Sequence, residues 1–147
     1  MTPDASDITG IEQLLYKYGH IVDAQEWVRF DELFTPDCEL DYTKVHAPKV
    51  FHGIPEIIGY FEGANHPAAH HVSNVWVELV DGEYRVKSKF FVPFTRASHA
   101  PQGWYGGDYE DIVVKTPDGW RFAQRRCTSR WRLAAGEGPF PEGRGTF

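Results

Sequence analysis

Cysteine and methionine are scarce in this chain: two and one among 147 residues. Cys38 and Cys127 stand far apart and form no CxxC pair, so the sequence offers neither a disulfide framework nor a thiolate metal site. They read as reduced thiols, and the protein is expected in the cytoplasm. No apolar run approaches the roughly twenty residues of a membrane-spanning helix. The opening stretch "MTPDASDITG" lacks the hydrophobic segment of a signal peptide. Positive charge is in deficit, with 15 Lys and Arg against 21 Asp and Glu, a net charge of −6. That balance argues against nucleic acid or an anionic membrane as a partner. "GWYGGDY" has glycines without GxGxxG or GxxxxGK spacing, so no phosphate-cradling loop is written here. Ser73, Ser98 and Ser129 lack the setting of a nucleophile elbow. Repeats and linkers are absent too, and the length fits one domain over 1–147.

What is plentiful is aromatic side chains, 15% of the residues. Most of these rings are expected in a core, and the remainder in a pocket lining. Ile8, Ile11, Leu15, Tyr18 and Val22 follow helical spacing and predict a helix over 8–23, with Asp7 as N-cap. Trp27, Phe30, Leu33 and Phe34 mark a second short helix, which Thr35-Pro36-Asp37 is expected to break. Cys38–Tyr42 alternates like a strand, and Val50–His52 is a shorter one. Gly53-Ile54-Pro55 opens a third helix that runs through Phe61.

From Ala69 the period changes to two. Strands are expected over 69–80, 83–96, 104–115 and 120–133. They are separated by Asp81-Gly82, by the segment 97–103 and by Pro117-Asp118-Gly119, and Pro93 marks a bulge or bend. The tail 134–147 is too rich in Gly and Pro for regular structure. Helices followed by long antiparallel strands make an α+β layout. A curved sheet wrapped on helices leaves a hole between the layers, the usual place for a small-molecule site.

Three places carry candidate chemistry. Asp23 closes the first helix, where a negative charge opposes the helix dipole. His70 and His71 sit side by side in "AHHVSN", so in a strand they face opposite ways. Strict alternation puts one of them with Val72, Asn74 and Trp76 and the other with Ser73, Val75 and Val77. "WRFAQRRCTSRW" holds Arg125 on the same parity as Ala123, Cys127 and Ser129, a small-residue face that lets a guanidinium reach a cavity. A metal reading of His66, His70 and His71 as HxxxHH needs a helix. Pro67 and the strand pattern argue against one, so no metal is expected.

The order helix–Asp–short helix–strand–helix–"HxxxN"–three long strands, with "DGWRF" at the last turn, resembles the SnoaL-like branch of the NTF2-like superfamily over roughly 7–133. The piece "VDAQEWVRFDELFTPDCELDY" looks especially like that group. The resemblance implies a cone-shaped barrel: three N-terminal helices on a strongly curved, mostly antiparallel sheet enclosing a pocket. It implies His70, four residues before Asn74, as the inward histidine. It pairs His70 with Asp23 and adds Tyr18 and Arg125 as further catalytic groups. Tyr42 resembles a pocket tyrosine of the family's dehydratases, and Phe94 stands where one of them has a second histidine. Trp27, Phe61, Asn74 and Trp76 are the other expected substrate contacts.

The implied activity is a lyase that needs no cofactor. Its substrate would be small, hydrophobic and hydroxylated, aromatic or polycyclic, and the same class includes elimination through a quinone methide with carbon–carbon cleavage. An isomerase or cyclase using Asp23 alone as base, and a pocket that binds without turnover, are the alternatives. A homodimer or homotrimer is expected from the same resemblance.

Overall fold

The computed structural model describes residues 2–64, 69–95 and 101–134. Helix α1 spans Ala5–Asp23, a 3₁₀ turn Trp27–Glu32, and helix α2 Ile54–Gly63. Six strands complete the order: β1 Phe34–Lys44, β2 Phe51–His52, β3 His71–Val80, β4 Glu83–Thr95, β5 Pro101–Thr116 and β6 Gly119–Ala134. They form one mixed sheet in the order β2-β1-β6-β5-β4-β3, in which only β1 and β6 run parallel.

The α+β class holds, but the expected closed barrel does not. The sheet is open, with β2 and β3 as its edges. The two residues of β2 pair only with Glu39 and Leu40 of β1, too short a strand to reach across to β3. Helix α1 occupies the space between, packed on β3 and β6.

Several local expectations change. The N-cap of α1 is Asp4, whose carboxylate accepts the Asp7 N–H at 2.9 Å. Asp7 instead turns toward the sheet, where Tyr84 Oη donates at 2.5 Å and Lys115 Nζ at 2.7 Å. Thr35-Pro36-Asp37 does not end an element before the strand. It lies inside β1, in a stretch where pairing with β6 slips between Phe34 and Glu39. Pro93 keeps its place opposite Trp104, and the irregularity follows between Phe94 and Thr95. β3 begins at His71, opposite Phe91, so Pro93 lies beyond the β3 pairing and has a ladder neighbour only on the β5 side. The hairpin at Asp81-Gly82 is as expected, both residues having positive φ (53° and 82°).

Curvature comes from bulges. Register slips between Ser73 and Trp76 on β3, and at Gly106/Gly107 and Ile112/Val113 where β5 meets β6. Gly107 is required at its bulge, because a Cβ there would lie 1.9 Å from the Thr128 carbonyl oxygen. On the inner face α1 buries Ile11, Leu15, Tyr18 and Val22 against Phe30, Phe34, Leu40, Phe61 and Phe122. Each such aliphatic or ring contributes about 1.5–3 kcal/mol by leaving water. This packing fixes the end of α1 over the start of β3, and the site lies there.

Candidate active site

The chain reverses sharply after α1. Ala24 N–H closes the helix on the His20 carbonyl, and Gln25 N–H bonds the Val22 carbonyl. Gln25 then adopts a positive φ of 55°. The reversal leaves the Asp23 carboxylate facing the residue that precedes β3. Its Oδ1 lies 2.5 Å from His70 Nδ1, and the His70 backbone N–H is 3.0 Å from Oδ2. The unfavourable charge at the helix end is thus met by two donors of one residue. With Nδ1–H donating, the neutral ring keeps Nε2 as its basic nitrogen. The His70 side chain is 7% exposed and that of Asp23 23%. Gly19, one turn before Asp23, has no side chain to fill the 3.5 Å between its Cβ position and His70 Cβ.

His71 points the other way. It is exposed, stacks on Phe91 at 4.5 Å and places Nδ1 3.1 Å from the Ala69 carbonyl.

Tyr18 meets the His70 ring edge-on, with centroids 6.0 Å apart. Tyr18 and Asp23 lie on different sides of the helix, and His70 bridges them. The Tyr18 hydroxyl is 2.5 Å from that of Tyr42. Burial pushes both phenols above their ordinary values, while the Arg125 charge pulls both down.

Behind them lies Arg125, 1% exposed, its guanidinium carbon 4.0 Å from the Tyr18 ring and 3.7 Å from the Tyr109 ring. Burial opposes its charge, but Asp111 and the tyrosines raise its pKa overall. Its cross-strand partner Asp111 is 3% exposed, with Oδ1 3.6 Å from Arg125 Nε. The three guanidinium nitrogens, both Asp111 oxygens and Ser88 Oγ have no hydrogen-bond partner among the described residues.

His70, Tyr18, Tyr42, Phe61, Tyr60, Phe90, Tyr105, Tyr109 and Cys127 surround an interior cavity of about 20 Å³, room for about one water. A second hollow of about 140 Å³ adjoins it, sharing Val45, His46 and Tyr105. A larger one of about 380 Å³ is lined by Glu39, Glu78, Arg85, Lys87, Glu110 and Arg126 among others, away from His70. The small cavity at His70 is the better candidate, because there a carboxylate-bound histidine and two phenols converge.

Of the residues singled out in the sequence, Asp23, His70, Tyr18, Tyr42 and Phe61 are brought together. Arg125 stands one layer behind the cavity wall. Trp27 backs Phe61 at 5.7 Å between centroids. Asn74 and Trp76 are not brought in: Asn74 is exposed and Trp76 is 64% exposed. The reason is local. Asn74 has a positive φ of 53° at the β3 bulge, which breaks the alternation and turns Val75 and Val77 toward the core. The Phe94 side chain and His66 lie outside the described residues. Among those described, no three His, Cys, Asp or Glu residues form a metal-binding group. Asp111, Tyr109 and His46 were missed. The first two were legible from parity in "DYEDIVV", Asp111 opposite Arg125 and Tyr109 opposite Cys127.

The profile of the SnoaL-like domain matches residues 3–126. The chain belongs to the SnoaL-like family. An uncharacterised protein of Mycobacterium tuberculosis is 30% identical over 129 residues, 83% of this chain and 84% of its own length. Among solved structures, a candidate scytalone dehydratase of Novosphingobium aromaticivorans superposes with a TM-score of 0.75 and 25% identity, covering 96% of each chain. LinA superposes at 0.74 with 14% identity, over 90% of this chain and 92% of its own. An NTF2-like superfamily protein of Salmonella enterica reaches 0.70 at 15% identity, over 91% and 98%. This SnoaL-like domain therefore has the NTF2-like fold. Among its described residues no helix is long and apolar enough to cross a membrane.

Proposed function

We propose that this SnoaL-like protein is a cofactor-independent lyase of the dehydratase type. Its substrate is a small hydroxylated aromatic or polycyclic molecule. The observation that carries the reading is the seating of His70, with Nδ1 2.5 Å from Asp23 and the ring edge against Tyr18. Asp23 fixes the tautomer and stabilises the imidazolium. His70 Nε2 removes a proton from the carbon next to the bond that breaks. The imidazolium then returns a proton to the departing hydroxyl, so water leaves and both groups regain their starting states. The balance closes between this chain's own groups and the substrate.

Tyr18 and Tyr42 donate to the oxygen on which charge develops. Arg125, 4.0 Å from the Tyr18 ring, reduces the cost of negative charge on those phenols without touching the substrate. Phe61 supplies an apolar wall, and the resemblance to a candidate scytalone dehydratase at 25% identity supports the same class. A phenolic substrate would eliminate through a quinone methide with the same groups.

An isomerase that uses Asp23 alone as base is the weaker reading, since both carboxylate oxygens face donors of His70. The test is a panel of hydroxylated aromatics and polycyclics followed by mass spectrometry. Loss of one water, reduced about 10²–10⁴-fold in His70→Ala, supports the lyase. A product of unchanged mass formed equally by His70→Ala supports the isomerase and sinks the proposal.

A further inference from the structure

The cavity at His70, about 20 Å³, takes one water and no substrate of the proposed class. The hollow beside it measures about 140 Å³. Joined, the two come close to the roughly 150 Å³ of a cavity that holds one benzene ring. What separates them is a wall shared by Val45, His46 and Tyr105. These three are held with unequal firmness. Tyr105 lies within β5, paired with Val92 on one side and Arg132 on the other, its ring edge-on to Phe90 at 5.9 Å. Val45 and His46 form the turn after β1. Their backbone is fixed, because the N–H groups of Val45, His46 and Ala47 all bond the Tyr42 carbonyl, at 3.0, 3.2 and 3.0 Å. The His46 side chain is exposed, and among the described residues its ring makes one hydrogen bond, 2.8 Å from Nδ1 to the Tyr60 hydroxyl. Tyr60 is the firm partner. It stacks on Phe51 at 4.6 Å and meets Tyr42 edge-on at 6.5 Å. Burial pushes its phenol up to about 12, so it keeps the proton it shares with His46. One hydrogen bond at an exposed residue is a weak tie, and exposed side chains change rotamer quickly. The movable part of the wall is therefore the His46 ring.

We propose that the His46 ring is a swinging partition latched by Tyr60, and that its release joins the two spaces into a site for a single aromatic ring. The inference rests on the reading of His70 as the reaction centre and narrows its substrate from polycyclic molecules to monocyclic phenols. With the partition released, the substrate ring lies between Val45 and Tyr105, and its reacting end faces His70, Tyr18 and Tyr42. His46 limits size and takes no part in proton transfer. Tyr60 is a positioning residue that acts through His46.

The experiment is NMR titration of the full chain with phenol and with 2-naphthol, read on the His70 ring signals, with line shapes giving the rates. Without a size limit the larger apolar naphthol binds more tightly. Wild type is instead expected to bind phenol about 10-fold or more tightly than 2-naphthol. Tyr60→Phe removes the latch and keeps the ring. It should raise kon for phenol and tighten Kd by the same factor, about 2- to 10-fold for one hydrogen bond, with koff unchanged. A residue that merely lined the site would weaken binding when altered. His46→Ala removes the partition outright and should bring 2-naphthol within about 3-fold of phenol. Equal or tighter binding of 2-naphthol to wild type overturns the proposal. So does phenol binding that is unchanged or weaker in Tyr60→Phe, or no saturable binding of phenol to wild type below about 20 mM. The two readings fail separately. The expected phenol pattern, in a protein that eliminates water from no panel member, keeps the partition and removes the lyase. Loss of water from a panel member, with phenol binding unmoved by Tyr60→Phe, keeps the lyase and removes the partition.

Discussion

Asp111 and Arg125 make a sharp test of how the site is held together. They face each other across β5 and β6 at 3% and 1% exposure. Yet Nε and Oδ1 are 3.6 Å apart, and neither side chain has a hydrogen-bond partner among the described residues. Burial without close contact should favour the neutral acid. Burial pushes Asp111 from its ordinary 3.8 up to about 7, against a downward pull from Arg125. For an acid with a raised folded pKa, the folded state holds the proton more tightly than the unfolded chain. The associated stability is full below about pH 4 and declines until about pH 7. At about 1.4 kcal/mol per pH unit, the span amounts to about 4 kcal/mol. Asp111→Asn removes this titration while keeping the shape. Asp7, Asp41 and Asp108 run the opposite way, held low chiefly by Lys115, Thr43 and Lys89. The difference between variant and wild type cancels their contribution. Urea unfolding of both proteins between about pH 4 and pH 8 should show Asp111→Asn gaining about 4 kcal/mol on wild type as pH rises. A variant that loses ground instead, by the 3–5 kcal/mol typical of a broken buried pair, would refute the reasoning and make the pair a true ionic bond.

Gly107→Ala must force a Cβ against the Thr128 carbonyl oxygen, so thermal melts should show a loss of about 3 kcal/mol or more. Gly59→Ala, in α2 with nothing within 4 Å of the new carbon, should gain up to about 1 kcal/mol in the same assay. Trp76→Ala should leave turnover unchanged and stability within about 0.5 kcal/mol, because the ring is 64% exposed on the far side of the β3 bulge. A large loss of turnover would return Trp76 to the site.

Much of this arrangement was readable in the chain. The helical stripe of α1, the Asp81-Gly82 turn and the four long strands follow from periodicity and turn chemistry, which act over a few residues. Asp23 stood out as a carboxylate at the wrong end of a helix, whereas its pairing with His70 was implied by the family resemblance. The misplacement of Asn74 and Trp76 has one cause: strict alternation does not hold where the strand bulges. At Asn74 a left-handed residue reverses the faces, so Asn74 and Trp76 are carried outward. No period in the sequence announces that reversal. Asp111 was missed for a different reason. A carboxylate on an inward parity reads as an error unless its partner is found, and Arg125 had already been assigned to the cavity alone. Closure of the sheet was also beyond local reading, since it depends on how far a two-residue edge strand extends.

The departures from local preference are not scattered. Asp23 sits against a helix dipole, Gln25 takes a left-handed turn just after it, and Asn74 takes another four residues past His70. Arg125 lies buried among rings with an acid it does not touch closely. Each costs stability, of the order of 1 kcal/mol or more for the backbone features and more for the buried charges. A fold selected for stability alone could replace Arg125 and Asp111 with apolar side chains of similar volume at no loss. What they hold together is one histidine in one tautomer, facing two phenols with a fixed positive charge behind. The gathering of these costs in the elements that seat His70 and its phenols is the physical argument behind the proposed lyase.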